Sequence, residues 1–363
     1  MKWSWKLGEV TGIGIYVHAT FGILVAWIGM ASWASGGTVA AVVGAIAFIL
    51  ALFGCIVLHE LGHALAARRY GIRTRDITLL PIGGMARLER MPEEPSQELV
   101  VALAGPAVNF AIAIALWVGL SLAGGLRLDA ATSALEGPFL QRLMFVNAVI
   151  AVFNLLPAFP MDGGRVLRAL LARRMSYVAA TQTAAHVGQV AAFGLGLLGL
   201  LANPFLIFIA LFVWIGAAGE ASMVQMRSAL AGIPVEQAML SDFETLRADD
   251  PLSRAVDITL RGSQKDFPVL SGGQVNGILT QERLLAALAR DGPDAPVAGA
   301  VRDQVMVVDS HEMLEGALAR LEGATASAIP VTHNGVVVGL LTMDNVGELV
   351  RIQAAVEKGT HRS

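Results

Sequence analysis

His59, Glu60 and His63 form a His-Glu-x-x-His pattern inside Val57-Leu58-His59-Glu60-Leu61-Gly62-His63-Ala64-Leu65, an otherwise apolar run that reads as helix. Residues four apart share a helical face, so both imidazoles can reach one metal ion, with Glu60 beside them. Two neutral imidazoles, a third protein ligand and an open position for water make the zinc site of a hydrolase. A metal there lowers the pKa of a water towards neutrality, and Glu60 can take its proton. The pattern also arises by chance on soluble surface helices. Here it lies where a membrane helix should be apolar, and ionisable groups at such places are costly and mark function.

A third donor must come from elsewhere. Phe153-Asn154-Leu155-Leu156-Pro157-Ala158-Phe159-Pro160-Met161-Asp162-Gly163-Gly164-Arg165 interrupts an apolar run with two prolines and two glycines. Non-helical backbone at membrane depth is tolerated only when buried in protein or lining a wet cavity. Asp162 is read as the third metal ligand; the alternative is a cap opening the next helix. Asn154 could then hydrogen-bond a substrate backbone or the oxyanion. Cys55, the one cysteine, stands four residues before His59. A thiolate ligand is conceivable there, and a small buried apolar residue is the preferred reading. His18 is read as a hydrogen-bonded interfacial histidine rather than a site residue.

These residues need helices to carry them. The 363 residues are 55% hydrophobic and 15% charged, against about 25% charged in soluble domains. That deficit indicates a membrane protein, and residues up to about 220 hold the long apolar runs. The net charge of −3, without a basic stripe, argues against nucleic-acid binding. Six spans are expected: His18 to Ser35, Val39 to Ala67, Glu98 to Leu122, Leu140 to Leu156, Val178 to Leu201 and Pro204 to Ala221. The first is expected to stay uncleaved, since Glu9 and glycines interrupt the stretch after Lys2 and Lys6. Thr74 to Leu80 and Met85 to Arg90 read as a hairpin around Pro81 to Gly84, which could offer its edge to an extended substrate. Gly12 to Val17 reads as a short interfacial strand. Asn109 requires a polar partner inside its apolar span. Arginines follow the second and fourth spans and nearly avoid the other side, so both termini are expected in the cytosol.

From Val235 the chain repeats itself at a spacing of 62 residues: Val235 matches Val297, Pro268-Val269 matches Pro330-Val331, and Gly277-Ile278-Leu279-Thr280 matches Gly339-Leu340-Leu341-Thr342. Each copy reads as a short α/β unit, and two such units should pack together. The domains are therefore 1–221 in the membrane, a linker at 222–234 and a repeated region at 235–357, with repeats at about 235–290 and 297–352.

Taken together, the chain resembles the site-2 proteases, intramembrane zinc metalloproteases of peptidase family M50, in the branch that carries a tandem CBS domain. The likeness rests on His-Glu-x-x-His and Asn-x-x-Pro-x-x-x-x-Asp-Gly on separate spans, in this order. It implies a polytopic α-helical membrane protein with a cytosolic α/β CBS pair, in the plasma membrane. It implies zinc on His59, His63 and Asp162, and Glu60 as general base. It also implies substrates that are membrane-anchored regulatory proteins. CBS pairs bind adenine nucleotides, which makes Thr280 and Thr342 candidate nucleotide-binding residues. The usual ribose-holding Asp is replaced by Arg283 and Asn345, and a homodimerisation module is the alternative. Two rivals are a metal or ion transporter and a noncatalytic CBS-coupled sensor. A transporter would scatter ionisable groups over several spans, and here they concentrate on two.

Overall fold

The computed structural model describes residues 3–360 apart from 82, 126–136, 263, 302–305 and 324–327. Ile82 of the expected hairpin turn, and most of the connection after the third span, lie outside them.

The chain opens with β1 (Ser4–Val10) and β2 (Ile13–His18), joined through Thr11 and Gly12, both at positive φ. Such a two-residue turn matches the twist of a hairpin. His18 then caps α1 (Ala19–Ala34), its Nδ1 accepting from the Thr20 amide at 3.3 Å. Thr38 caps α2 (Val39–Arg68), a 30-residue helix. After it come β3 (Thr74–Leu80) and β4 (Gly83–Leu88). The four strands form one sheet in the order β1-β2-β3-β4, with β2 parallel to β3 and β4 at the edge. The expected hairpin is thus half of a larger sheet. β1 escaped sequence reading because it buries almost nothing and leaves no alternation to see. β3 is buried: Ile77 packs with Leu61 and Ala64 of α2, and Leu79 with Phe53. That packing lays the sheet along α2 beside the His-Glu-x-x-His turn.

Glu94 opens α3 (Pro95–Leu122), its carboxylate accepting from the Ser96 and Gln97 amides. The remaining helices of this unit are α4 (Phe139–Asn154), α5 (Asp162–Leu171), α6 (Tyr177–Leu201) and α7 (Phe205–Leu230). Among the described residues, α2, α3, α6 and α7 are long and apolar enough to cross a membrane. α1 and α4 are apolar but have 16 residues each, about 24 Å at 1.5 Å per residue against a hydrocarbon core of about 30 Å. Of the six expected spans, four are long helices and two are short ones. α7 also continues through 222–230, which the sequence reads as linker.

The chain divides into two compact units, 1–224 and 225–363. The second holds β5 (Leu246–Arg247), α8 (Leu252–Arg261), β6 (Phe267–Ser271), β7 (Gln274–Leu279), α9 (Gln281–Asp291), β8 (Val308–Asp309), α10 (Leu314–Gly323), β9 (Ala328–His333), β10 (Val336–Thr342) and α11 (Met343–Thr360). Two three-stranded sheets result, β5-β6-β7 and β8-β9-β10, related by the repeat. Each half completes the other. Val235, from the first repeat, is buried with Val308, Leu314, Ile329 and Leu341 of the second. Val297 is buried with Leu246, Leu252, Phe267 and Leu279 of the first. The backbone follows the same exchange: the Val235 amide donates to the Glu312 carbonyl at 2.9 Å, and the Val297 amide to the Asp250 carbonyl at 2.8 Å. Neither repeat buries its apolar face alone.

Candidate active site

α2 puts the His59 and His63 side chains one turn apart, with their Nε2 atoms separated by 3.1 Å. The broken segment after α4 returns the chain to them. Asp162 Oδ2 lies 3.2 Å from His59 Nε2 and 3.1 Å from His63 Nε2. All three side chains are buried. Asp162 is the first residue of α5, and the cap position falls to Met161, so the carboxylate faces the imidazoles instead of the helix end.

Their outer nitrogens show what the inner ones can do. His63 Nδ1 lies 2.7 Å from the Val101 carbonyl, which can only accept, so the ring proton is on Nδ1. Asn147 Nδ2 donates to the Leu143 carbonyl at 2.8 Å, leaving Asn147 Oδ1 to accept from Asn109 Nδ2 at 2.8 Å. Asn109 Oδ1 must then accept from His59 Nδ1. In the neutral imidazoles that a metal requires, both Nε2 atoms then point lone pairs at each other and at a carboxylate. Three acceptors within hydrogen-bond distance and no donor among them repel, and one central cation removes the repulsion. Tetrahedral ligands at zinc distances stand about 3.3 Å apart, close to the spacing found. Buried outer partners for each histidine are also what metal sites use to fix tautomer and ring orientation. The residues fit zinc.

Glycines make room for this. A Cβ on Gly105 of α3 would stand 2.2 Å from His63 Nε2 and 2.7 Å from His59 Nε2. One on Gly62 would meet the Ala104 carbonyl at 2.8 Å, so α2 and α3 touch backbone to backbone. One on Gly163 would meet the Leu156 carbonyl at 2.2 Å, which is how α5 folds back onto the end of α4.

Glu60 is half-buried on the neighbouring face of α2, and its Oε2 accepts from the Ala86 amide of β4 at 3.2 Å. A Cβ on Gly84 would press on Glu60 Cγ at 2.8 Å. This explains why β4 begins at Gly83 and not at the expected Met85: glycine lets the strand lie against the carboxylate's helix. Among the described residues, His59, His63 and Asp162 are the only three such side chains close enough to share a metal. Cys55 is buried and outside that group. Asn154, half-buried, is the last residue of α4. Thr280 caps α9, accepting from the Arg283 amide at 3.4 Å. Thr342 donates to Asn345 Oδ1 at 2.6 Å. Sequence reasoning noted Asn109 but missed its partner Asn147. The available signal was a second asparagine in another apolar helix.

The profile of Peptidase family M50 matches residues 47–136 and 128–195, and that of the CBS domain matches 235–290. A zinc metalloprotease of Methanocaldococcus jannaschii is 35% identical over 281 residues, covering 77% of this chain and 78% of its own. The chain belongs to peptidase family M50. This M50 peptidase is also similar to Rip3 of Mycobacterium tuberculosis, at 30% identity over 378 residues, 97% of this chain and 94% of the relative. The solved site-2 protease of Methanocaldococcus jannaschii is 38% identical and covers 60% of this chain and 95% of its own, with a TM-score of 0.45. The M50 peptidase is a zinc metalloprotease, and its apolar helices make it a membrane protein.

Proposed function

We propose that the protein is an intramembrane endopeptidase that cuts membrane-anchored regulatory proteins within or beside their transmembrane segment. The observation that carries this is the convergence of His59 Nε2, His63 Nε2 and Asp162 Oδ2 at 3.1–3.2 Å, on a helix long and apolar enough to span. In this reading those three side chains hold the metal and Glu60 is the general base. Zinc supplies Lewis acidity to the scissile carbonyl and acidifies a water near neutral pH. Glu60 takes the water's proton as its oxygen bonds to the carbonyl carbon, and passes it to the amine as the C–N bond breaks. The outer bonds to Asn109 and Val101 keep both imidazoles in one tautomer throughout. Asn154 is assigned to the substrate backbone or the oxyanion. A helical substrate hides its carbonyls in its own hydrogen bonds and must unwind first. The outer edge of β4, beside Glu60, fits such an extended segment.

We read α1 and α4 as two shorter spans, making six. Arg68 at the end of α2 with Arg69, Arg73 and Arg75 after it, and Arg165, Arg173 and Arg174 after α4, support cytosolic termini at the plasma membrane. The CBS pair is read as a regulatory module, through adenine nucleotide at Thr280 and Thr342 or through pairing of two copies.

The test compares membranes containing wild-type protein and Glu60→Gln. Glu60→Gln is expected to retain zinc and fold, lose cleavage and accumulate an uncut membrane-anchored partner. Cleavage retained by purified Glu60→Gln rules out the assigned base.

A further inference from the structure

The largest of the fully buried side chains is a charged one that the mechanism does not use. Arg168 of α5 is fully buried, six residues after Asp162 on the same ten-residue helix. Its Nε donates to Glu98 Oε1 of α3 at 2.7 Å, and its Nη1 donates to Glu220 Oε1 of α7 at 2.6 Å. The guanidinium lies over Tyr177 of α6 at 4.8 Å and over Phe159 of the broken segment at 5.1 Å. Glu98 is fully buried too, and stands one turn before Val101, whose carbonyl holds His63. One cation thus joins the helix bearing Asp162 to the turn of α3 that orients His63.

A second observation is independent of charge. α7 packs on the broken segment along a single face. Val213 is buried with Ala158 and Met161, Ala217 with Phe159, and a Cβ on Gly216 would meet Pro160 at 2.6 Å. Glu220 continues that face at the helical spacing of 213, 216, 217 and 220. The helix that backs the Asp162 segment is also the one that pins its arginine.

We propose that Arg168 is the positioning residue for Asp162: with Glu98 and Glu220 it clamps α5 between α3 and α7, so that the placement of α7 sets how the Asp162 carboxylate meets His59 and His63. The clamp rests on the reading of Asp162 as a metal ligand. Arginine suits it because its planar fork serves two carboxylates at once, whereas a lysine is a single point charge. Removing the guanidinium outright leaves the buried Glu98 carboxylate, and the half-buried Glu220 beside it, without a cation, so Arg168→Ala is expected to lose the fold. Milder changes serve better. Arg168→Lys keeps the charge and loses the fork. Glu220→Ala keeps the matched Arg168–Glu98 pair and cuts the tie to α7.

The experiment uses the full-length protein in detergent and the metal alone. Zinc affinity is measured by chelator competition, and the visible spectrum of the cobalt-substituted protein reports ligand geometry. Asp162→Ala serves as reference. Arg168→Lys and Glu220→Ala are each expected to weaken zinc binding by at least about 10-fold, the scale of outer supports of metal ligands, and to shift the cobalt spectrum. Glu220→Ala decides the case if Arg168→Lys does not fold. Wild-type zinc affinity and spectrum in Glu220→Ala, with zinc lost in Asp162→Ala, overturn the clamp and leave the ligand reading standing, even if melting of the metal-free protein falls. Wild-type zinc affinity in Asp162→Ala itself overturns both.

Discussion

Gly105→Ala is the smallest change that should empty the metal site. The added Cβ would stand 2.2 Å from His63 Nε2 and 2.7 Å from His59 Nε2, where real contacts of this kind essentially never fall below 3.0 Å. His63 would have to retreat by at least the difference, 0.8 Å. Metal–ligand distances tolerate only about 0.2 Å, so the ring cannot stay in coordinating position. Retreat is blocked as well, because Nδ1 is already held by the Val101 carbonyl at 2.7 Å. The loss of zinc affinity should exceed the effect of losing an outer partner and reach about 100-fold or more. Overpacking costs stability too, about 1–3 kcal/mol, which melting of the metal-free protein will show. The assay is zinc retained after dialysis against graded chelator. Gly119→Ala, on the same helix with nothing within 4 Å of its Cβ, is the control and should keep all its zinc. Wild-type zinc retention by Gly105→Ala would refute the proposed packing of α3 on the histidines.

Asn109→Leu removes the acceptor that fixes the His59 tautomer and should weaken zinc binding by about 10- to 100-fold; chelator titration checks it, and unchanged affinity would mean the amide is not supporting the ligand. Gly84→Ala presses on Glu60 without touching the ligands, so kcat on a membrane-anchored substrate should fall by about 100-fold at full zinc loading. An unaltered kcat would dissociate β4 from the base. Glu60→Gln should bind zinc normally and cleave nothing.

The long apolar helices and the 62-residue repeat were legible because each leaves a periodic trace in the sequence. His59, Glu60 and His63 were legible because helical spacing alone puts two of them on one face. Asp162 could be inferred only from the cost of two prolines, two glycines and a carboxylate at membrane depth. β1 was not legible, since an exposed edge strand has no buried face to alternate. Nor was the pairing of Asn109 with Asn147, which depends on how α3 and α4 meet, or the fit of Gly84 and Gly105, whose importance lies in the side chain they lack. Arg168 read as one more cytosolic arginine. Its burial follows from the approach of Glu98 and Glu220, distant in sequence on two other helices.

X-ray absorption at the zinc edge of the purified protein tests the central claim most directly, with wild type and Asp162→Ala measured side by side. Two imidazole nitrogens and oxygen at about 2.0–2.2 Å are expected for wild type, with metal lost or one protein oxygen fewer in Asp162→Ala. A sulfur neighbour at about 2.3 Å would bring in Cys55 and contradict the account, as would a spectrum without imidazole or one that Asp162→Ala leaves unchanged.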